Sequence, residues 1–406
     1  MAALGTGDLT EGMSMELSDI AVPHTRRTLL ATSGAGLIAA ALAACGGSTT
    51  SSSSTSSAGG AATSTGGAPA SSSSTSASPG PVTGTIQFSN YPGWIGSHTI
   101  ADFHKAYPQA NVHVDADESS FTSALPKIKA QPGIYDMALA STYEVQRAIL
   151  LGVVDPMNFS AMPNTKLIDP KFLSTPVNQK AQYFVPTDYG KYGVGVRTDL
   201  VTEQITSWKD VFALAPKYSG KMYWYDFPKD IITVGLLALG YPANDTNQQH
   251  IIAAGKKLQS IKSDMGNLGT NGIAAALLNG SAAISVTYDY DVYAAAQKNK
   301  NIKWIVPSEG VPAYLEGWVA LKGGGHLATV EAFMNFALQP RLYADFINEN
   351  DAAGVMAAAD RYLPKALTTS EILFAPPAVL KRVFFLNFVG AAEAYYDQAY
   401  TNFKAA

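Results

Sequence analysis

Apolar residues in the body of this 406-residue chain recur at every second position over short runs, then at every third or fourth, then at every second again. Alternation over Thr85–Ser89, Asn111–Asp115 and Asp136–Ala140 predicts strands, and helical spacing over Ser97–Ala106, Phe121–Ala130 and Ser141–Leu151 predicts the helices between them. A later stretch repeats the scheme. Lys221–Tyr225 and Ala283–Thr287 read as strands, with helices near Ile231–Leu239, Asn247–Ile261, Gly272–Leu278 and Asp291–Lys298. Ser141-Thr142-Tyr143-Glu144 carries a capping box, in which Ser141 accepts the Glu144 amide proton and Glu144 reaches back. Strands alternating with helices predict an α/β fold with mostly parallel sheets and helices on both faces. Two such units in one chain meet at a cleft, and loops beyond the strand ends of such clefts hold ligands.

The N-terminal pattern is different. Arg26-Arg27 precede a charge-free apolar run from Thr28 to Ala44, ending in Leu42-Ala43-Ala44-Cys45. The run is shorter than the roughly 20 apolar residues a bilayer requires, so it reads as a cleaved export signal over residues 1–44. Small residues before a cysteine resemble the lipobox of bacterial lipoproteins, which implies cleavage before Cys45, the only cysteine, and lipid on its sulfur. The paired arginines resemble a twin-arginine signal, although Thr25–Leu30 lacks its usual phenylalanine. From Gly46 to about Pro81 the chain is almost entirely Ser, Thr, Ala, Gly and Pro. Such a segment cannot offset the entropy of ordering, so residues 45–83 read as a disordered tether with a reach on the order of 30–35 Å. The expected location is the outer face of the cell membrane, held by lipidated Cys45.

Charge narrows the function classes. The formal net charge is −4, and residues 1–44 carry four acids against two arginines, so the remainder stands at −2. No basic face is available for nucleic acid. With no second cysteine, stability rests on packing. The chain has no G-x-x-x-x-G-K-[ST], G-x-G-x-x-G or G-x-S-x-G, and its six histidines show no H-E-x-x-H spacing. These absences argue against a nucleotide enzyme, a nucleophile-elbow hydrolase and a zinc site, and the expectation is a binding protein with no cofactor and no metal.

Aromatic residues interleaved with acids stand at the ends of the predicted strands, in Tyr91–Trp94, Ser141–Tyr143, Tyr223–Asp230, Tyr288–Asp291 and Tyr314–Trp318. Aromatic faces attract cations, and carboxylates balance ammonium groups once water is excluded. A cleft lined this way suits an amine. Taken singly, Trp224 and Trp318 fit a core, Asp289 and Asp291 fit helix caps, and Asp230 and Glu316 fit surface pairs with Lys229 and Lys322. Beyond residue 45 the only arginines are Arg147, Arg197, Arg341, Arg361 and Arg382, all outside these clusters, which disfavours an anion held by a guanidinium fork.

Phe88-Ser89-Asn90-Tyr91, Tyr135–Tyr143, Thr206–Val211, Pro216–Lys221 and Glu316–Ala320, in this order and spacing, resemble the spermidine/putrescine-binding proteins of bacterial ABC importers. The resemblance runs from about Thr85 to Ala406. It implies a two-lobed, type II periplasmic-binding-protein-like fold, with lobe 1 over 84–190 and 315–361 and lobe 2 over 191–314 and 362–406. It also implies a monomer that delivers its solute to an ABC permease and its ATPase. Carried over residue by residue, the ligand cage falls on Tyr91, Trp94, Ser141, Tyr143, Asp230 with Asp226 close by, Tyr288, Tyr314 and Glu316. Tyr replaces the commoner Trp at 91, 288 and 314, Asp replaces Glu at 230, and Glu replaces Asp at 316. Leu386 beside Asn387 stands where Gln is usual, and Asp351–Val355 replaces a Tyr-Pro-Thr-Pro-like loop. The expected ligand is a polyamine such as putrescine or spermidine. The alternatives are another small solute, such as an amino-acid derivative or an aminoalkyl phosphonate, or a surface-anchored hydrolase.

Overall fold

The computed structural model describes residues 80–116, 120–179 and 181–406. The expected export signal, Cys45 and all but the last residues of the expected tether lie outside the described residues. The first α/β run comprises β1 (Gly84–Ser89), α1 (Thr99–Ala106), β2 (Ala110–Asp115), α2 (Phe121–Ala130), β3 (Met137–Ser141) and α3 (Thr142–Leu151). It continues into β4 (Val154–Asp155), the short α4 (Pro170–Leu173) and the long strand β5 (Val185–Arg197). The second run holds α5 (Trp208–Leu214), β6 (Met222–Tyr225), α6 (Pro228–Ala238), α7 (Gln248–Gln259), β7 (Met265–Gly269), α8 (Ile273–Asn279), β8 (Ile284–Tyr288), α9 (Asp289–Ala296) and β9 (Ile302–Ile305). After these come β10 (Val311–Leu321), α10 (Leu327–Ala337), α11 (Pro340–Glu349), β11 (Ala353–Gly354), α12 (Lys365–Thr368), α13 (Pro377–Leu380), β12 (Val383–Phe385) and α14 (Glu393–Ala405).

The predicted elements form where the pattern put them, within two or three residues at each end. Local chemistry explains the boundaries. Ser120 caps α2, its hydroxyl accepting from the Ser123 amide at 3.1 Å while Ser123 Oγ accepts from the Ser120 amide. Left-handed Gly152, with φ of 69°, ends α3. Pro228 occupies the first turn of α6, where its missing N–H leaves no helical bond unmade, so that helix starts earlier than its apolar spacing suggests. β7 carried no strand signal: Met265–Gly269 holds two glycines and none of its residues is buried.

One sheet runs through the molecule in the order β2-β1-β3-β10-β5-β8-β6-β7. At either end neighbours are parallel, β1 with β2 and β3, and β6 with β7 and β8, as βα alternation predicts. The middle is antiparallel: β10 runs against β3 and β5, and β5 runs against β8. β5 changes company part-way. Its residues through Lys191 pair with β10, and Tyr192–Val196 pair with β8. All of β5 is buried, and its neighbour β10 is buried throughout except for partly exposed Tyr314. Trp224 and Trp318 are core residues, the former with no exposed surface.

Close strand contact at the junction depends on glycine. A Cβ at Gly317 would sit 2.2 Å from the Val185 carbonyl oxygen and 2.8 Å from the Phe184 ring. Backbone cannot yield as a flexible side chain does, and overpacking typically costs about 1–3 kcal/mol. Gly317→Ala is expected to lose stability at the upper end of that range, read as a fall of several degrees in melting temperature; an unchanged melting temperature would show that the β5–β10 contact is looser than the structure gives.

Candidate functional site

The site forms where the strand ends of both runs meet β5 and β10. After β1 the chain turns on left-handed Gly93, with the Trp94 amide donating to the Tyr91 carbonyl at 3.1 Å and Asn90 Nδ2 donating to the Trp94 carbonyl at 3.0 Å. This loop presents two aromatic rings. Trp94 packs at 5.4 Å centroid distance on Tyr290 and at 5.9 Å on Phe346. Tyr288, the last residue of β8, is the hub. Its ring meets Tyr192 at 5.1 Å, Tyr225 at 4.8 Å and Tyr314 at 5.2 Å edge-on, and stacks on Tyr290 at 5.5 Å. Tyr143, at the start of α3, joins Phe227 and Leu386 in a small apolar cluster beside it.

Acids are buried among these rings. Glu144, Asp188, Asp230, Asp289 and Glu316 all lie at 8 % exposure or less. Several are fully provided for. Glu144 accepts from the amide and hydroxyl of both Thr122 and Ser141, at 2.8–3.0 Å. Asp289 pairs with Lys191 at 2.5 Å, and Lys191 also donates to the Leu373 carbonyl. The remaining three differ. Among the described residues, none of the ion pairs involves Asp188, Asp230 or Glu316. Lys229, next to Asp230 in sequence, is bonded instead to Glu393 and to the Asn387 carbonyl at 2.6 Å.

Burial without an ion pair shows in their acidities, although the nearby Lys229 ammonium opposes the rise at Asp230. Loss of hydration pushes Asp188 and Asp230 up to about 7. Glu316 is driven well above the usual carboxylate range, by burial first and then by Asp188, Glu144 and Asp230 nearby. Asp291 rises to about 6 through burial, despite the Thr287 hydroxyl it accepts from. Carboxylates so placed either hold protons or hold a cation.

Most of the expected residues come together. Tyr91, Trp94, Tyr143, Tyr288, Tyr314, Asp230 and Glu316 share this region: Tyr91 feels Glu316 and Tyr143, Tyr143 and Tyr288 feel Asp230, and Tyr314 feels Glu316. Two expected residues stand otherwise. Ser141 is buried and its hydroxyl donates to Glu144, so it orients the α3 start. Asp226 is not offered to the aromatic cluster, because its carboxylate accepts from Tyr400 at 2.7 Å and Lys404 at 2.6 Å on α14. The surface reading of Asp230 and Glu316 does not hold, since both are buried. Asp188 and Tyr192 lie among these residues and were not singled out, while Tyr225 and Tyr290 fell in the aromatic clusters without being named as ligands. For Asp188 a signal existed: it is the single acid of a long strand whose other charged residues are Lys191 and Arg197. Among the described residues no group of three or more His, Cys, Asp or Glu side chains converges as metal ligands do.

The family model for "Bacterial extracellular solute-binding protein" matches residues 98–375. The chain belongs to that family. The spermidine/putrescine-binding periplasmic protein of Escherichia coli K12 is 23 % identical over 322 residues, covering 79 % of this chain and 92 % of that protein. Among solved structures, a putative spermidine/putrescine ABC transporter from Listeria monocytogenes matches with a TM-score of 0.73 at 22 % identity, covering 79 % of this chain and 98 % of that one. The Tp0655 lipoprotein of Treponema pallidum matches at a TM-score of 0.67 and 20 % identity, over 79 % and 99 %. The fold is the two-lobed, type II periplasmic-binding-protein-like arrangement. This solute-binding family is extracellular or periplasmic, and among the described residues no helix is long and apolar enough to cross a membrane.

The raised acidities fix a sign for the pH dependence of stability. Between the unfolded carboxylate pKa of about 4 and the folded values, the folded protein holds more protons than the unfolded chain. With Asp188 and Asp230 at about 7 and Asp291 at about 6, the stability of the ligand-free protein therefore falls as pH rises through about 4 to 7. The melting temperature without ligand is expected to be higher near pH 5 than near pH 8. A melting temperature that climbs across this window would mean the three acids are neutralised within the protein.

Proposed function

We propose that this chain is the solute-capturing component of an ABC importer and that its ligand is a small organic cation, a polyamine such as putrescine or spermidine. The observation carrying this reading is the set Asp188, Asp230 and Glu316, buried without ion-pair partners inside a wall of tyrosine and tryptophan rings. Ammonium groups would neutralise the acids while the rings pack along the methylenes between them, and cations are attracted to aromatic faces. Relatives named for spermidine and putrescine, among them a putrescine-binding periplasmic protein of Pseudomonas aeruginosa, support it.

Capture works by closure of lobes 84–190 with 315–361 and 191–314 with 362–406 about the points where β5 and β10 exchange partners. Only the closed state touches the ligand from both sides, so ligand selects it. The captured solute passes to the permease and its ATPase. The chain acts as a monomer without nucleic acid, held to the outer face of the membrane by lipid on Cys45. The lipobox-like Leu42–Cys45 and the tether composition support the anchor.

Two experiments test this reading. Glu316→Gln leaves a bound ammonium without its countercharge, a loss of about 2–5 kcal/mol, whereas Tyr288→Phe keeps the ring face. Calorimetry with putrescine and spermidine is expected to show Glu316→Gln weakened at least tenfold more than Tyr288→Phe; no binding by the wild type would remove the polyamine reading. For the anchor, Cys45→Ala is expected to move the exported protein from the membrane fraction to the soluble fraction, since stable attachment needs acyl chains. Unchanged partition would exclude lipid at Cys45.

A further inference from the structure

Glu316 and Asp188 are register partners on the antiparallel strands β10 and β5. Like charges directly opposite each other on a sheet repel, and here both side chains are out of water, at 7 % and 0 % exposure. The structure keeps this arrangement although it holds a lysine three residues away. Lys191 turns instead to Asp289 at 2.5 Å and to the Leu373 carbonyl at 2.8 Å, so it does not form an ion pair with Asp188. Among the described residues the Thr187 hydroxyl donates to the Asp188 carboxylate at 2.8 Å from Oδ1, and Oδ2 has no hydrogen bond of full geometry. The Trp94 indole N–H and the Tyr314 hydroxyl face this carboxylate and favour its ionised form, in contacts looser than full hydrogen-bond geometry. These polar neighbours soften the burial of Asp188 but bring no positive charge to it, and the like charge of Glu316 stands opposite.

We infer that Asp188 is a third ligand carboxylate and that Asp188, Glu316 and Asp230 together fit the cleft to a trivalent linear amine over a divalent one. This rests on the polyamine reading and extends it. A diamine neutralises two of the three acids and leaves a like-charge pair in low dielectric, whereas a triamine matches all three. Asp289 takes no part because Lys191 already neutralises it, and Glu144 takes none because four hydrogen bonds hold it.

The test is calorimetry at pH 8 with spermidine and putrescine, on the wild type and on the isosteric Asp188→Asn, together with thermal unfolding of both proteins without ligand. The wild type is expected to bind spermidine at least tenfold more tightly than putrescine. Asp188→Asn is expected to weaken spermidine at least tenfold and putrescine less than threefold, which removes the preference. Without ligand at pH 8 the variant is expected to melt no lower than the wild type, because an unneutralised buried charge has gone. A wild type that prefers putrescine, or a variant with the wild-type preference, overturns the third carboxylate and leaves polyamine binding standing. A variant that melts lower and weakens both amines equally shows a structural role for Asp188 and overturns it as well. A wild type that binds neither amine overturns the polyamine reading, and the triamine preference with it. Should Asp188→Asn not fold, the wild-type preference between the two amines still decides.

Discussion

Negative charge held out of water is the constraint around which the site is arranged. A carboxylate in a low-dielectric interior loses its hydration, and a second nearby adds repulsion that water no longer screens. Most buried acids here are relieved inside the protein: Asp289 by Lys191, Glu393 by Lys229, Glu144 by two hydroxyls and two amides. Asp188, Asp230 and Glu316 form no ion pair among the described residues, and Lys229 acts on Asp230 only from a distance. The rings around them sharpen the imbalance. By excluding water, Tyr288 and its neighbours raise the cost of the bare acids and strengthen the hold on any cation that joins them. Instability and affinity thus have one source.

The two central strands make that arrangement geometrically available. β5 and β10 pair with each other and then with strands from opposite ends of the sheet, so residues near Tyr189–Tyr192 and Ala313–Glu316 look toward both runs at once. Small residues keep the strands close to what packs on them. A Cβ at Gly190 would stand 2.6 Å from the Tyr314 ring and 2.8 Å from an Asp289 carboxylate oxygen. The tyrosine that walls the site and the acid that binds Lys191 both occupy space a larger residue would take.

Much of the fold was legible because it is local. Period and caps located β1 through α3 and β6 through α9, and the capping pattern at Ser141 identified the glutamate that reaches back to it. β7 was not legible, since its glycines and half-exposed pattern give no strand signal and it is held by pairing with β6. The aromatic and acidic clusters at the strand ends were legible, and seven of the nine residues expected as ligands lie near one another in space. The partners of Asp226 were not legible, because sequence distance does not reveal α14, which brings Tyr400 and Lys404 to it.

The sequence by itself determined the alternation of strands and helices and the aromatic and acidic character of the strand ends. These follow from side-chain period and composition, which act over a few residues. Only the tertiary structure decided which acids are neutralised. Lys191 stands three residues from Asp188 on one strand and Lys229 adjoins Asp230 on one helix, spacings that turn the side chains of each couple apart. Packing carries Lys191 to Asp289 and Lys229 to Glu393, on elements about 100 and 164 residues away. Coulomb energy in a buried site depends on distance in space and on which groups are shut off from water, and neither is written in the spacing along the chain.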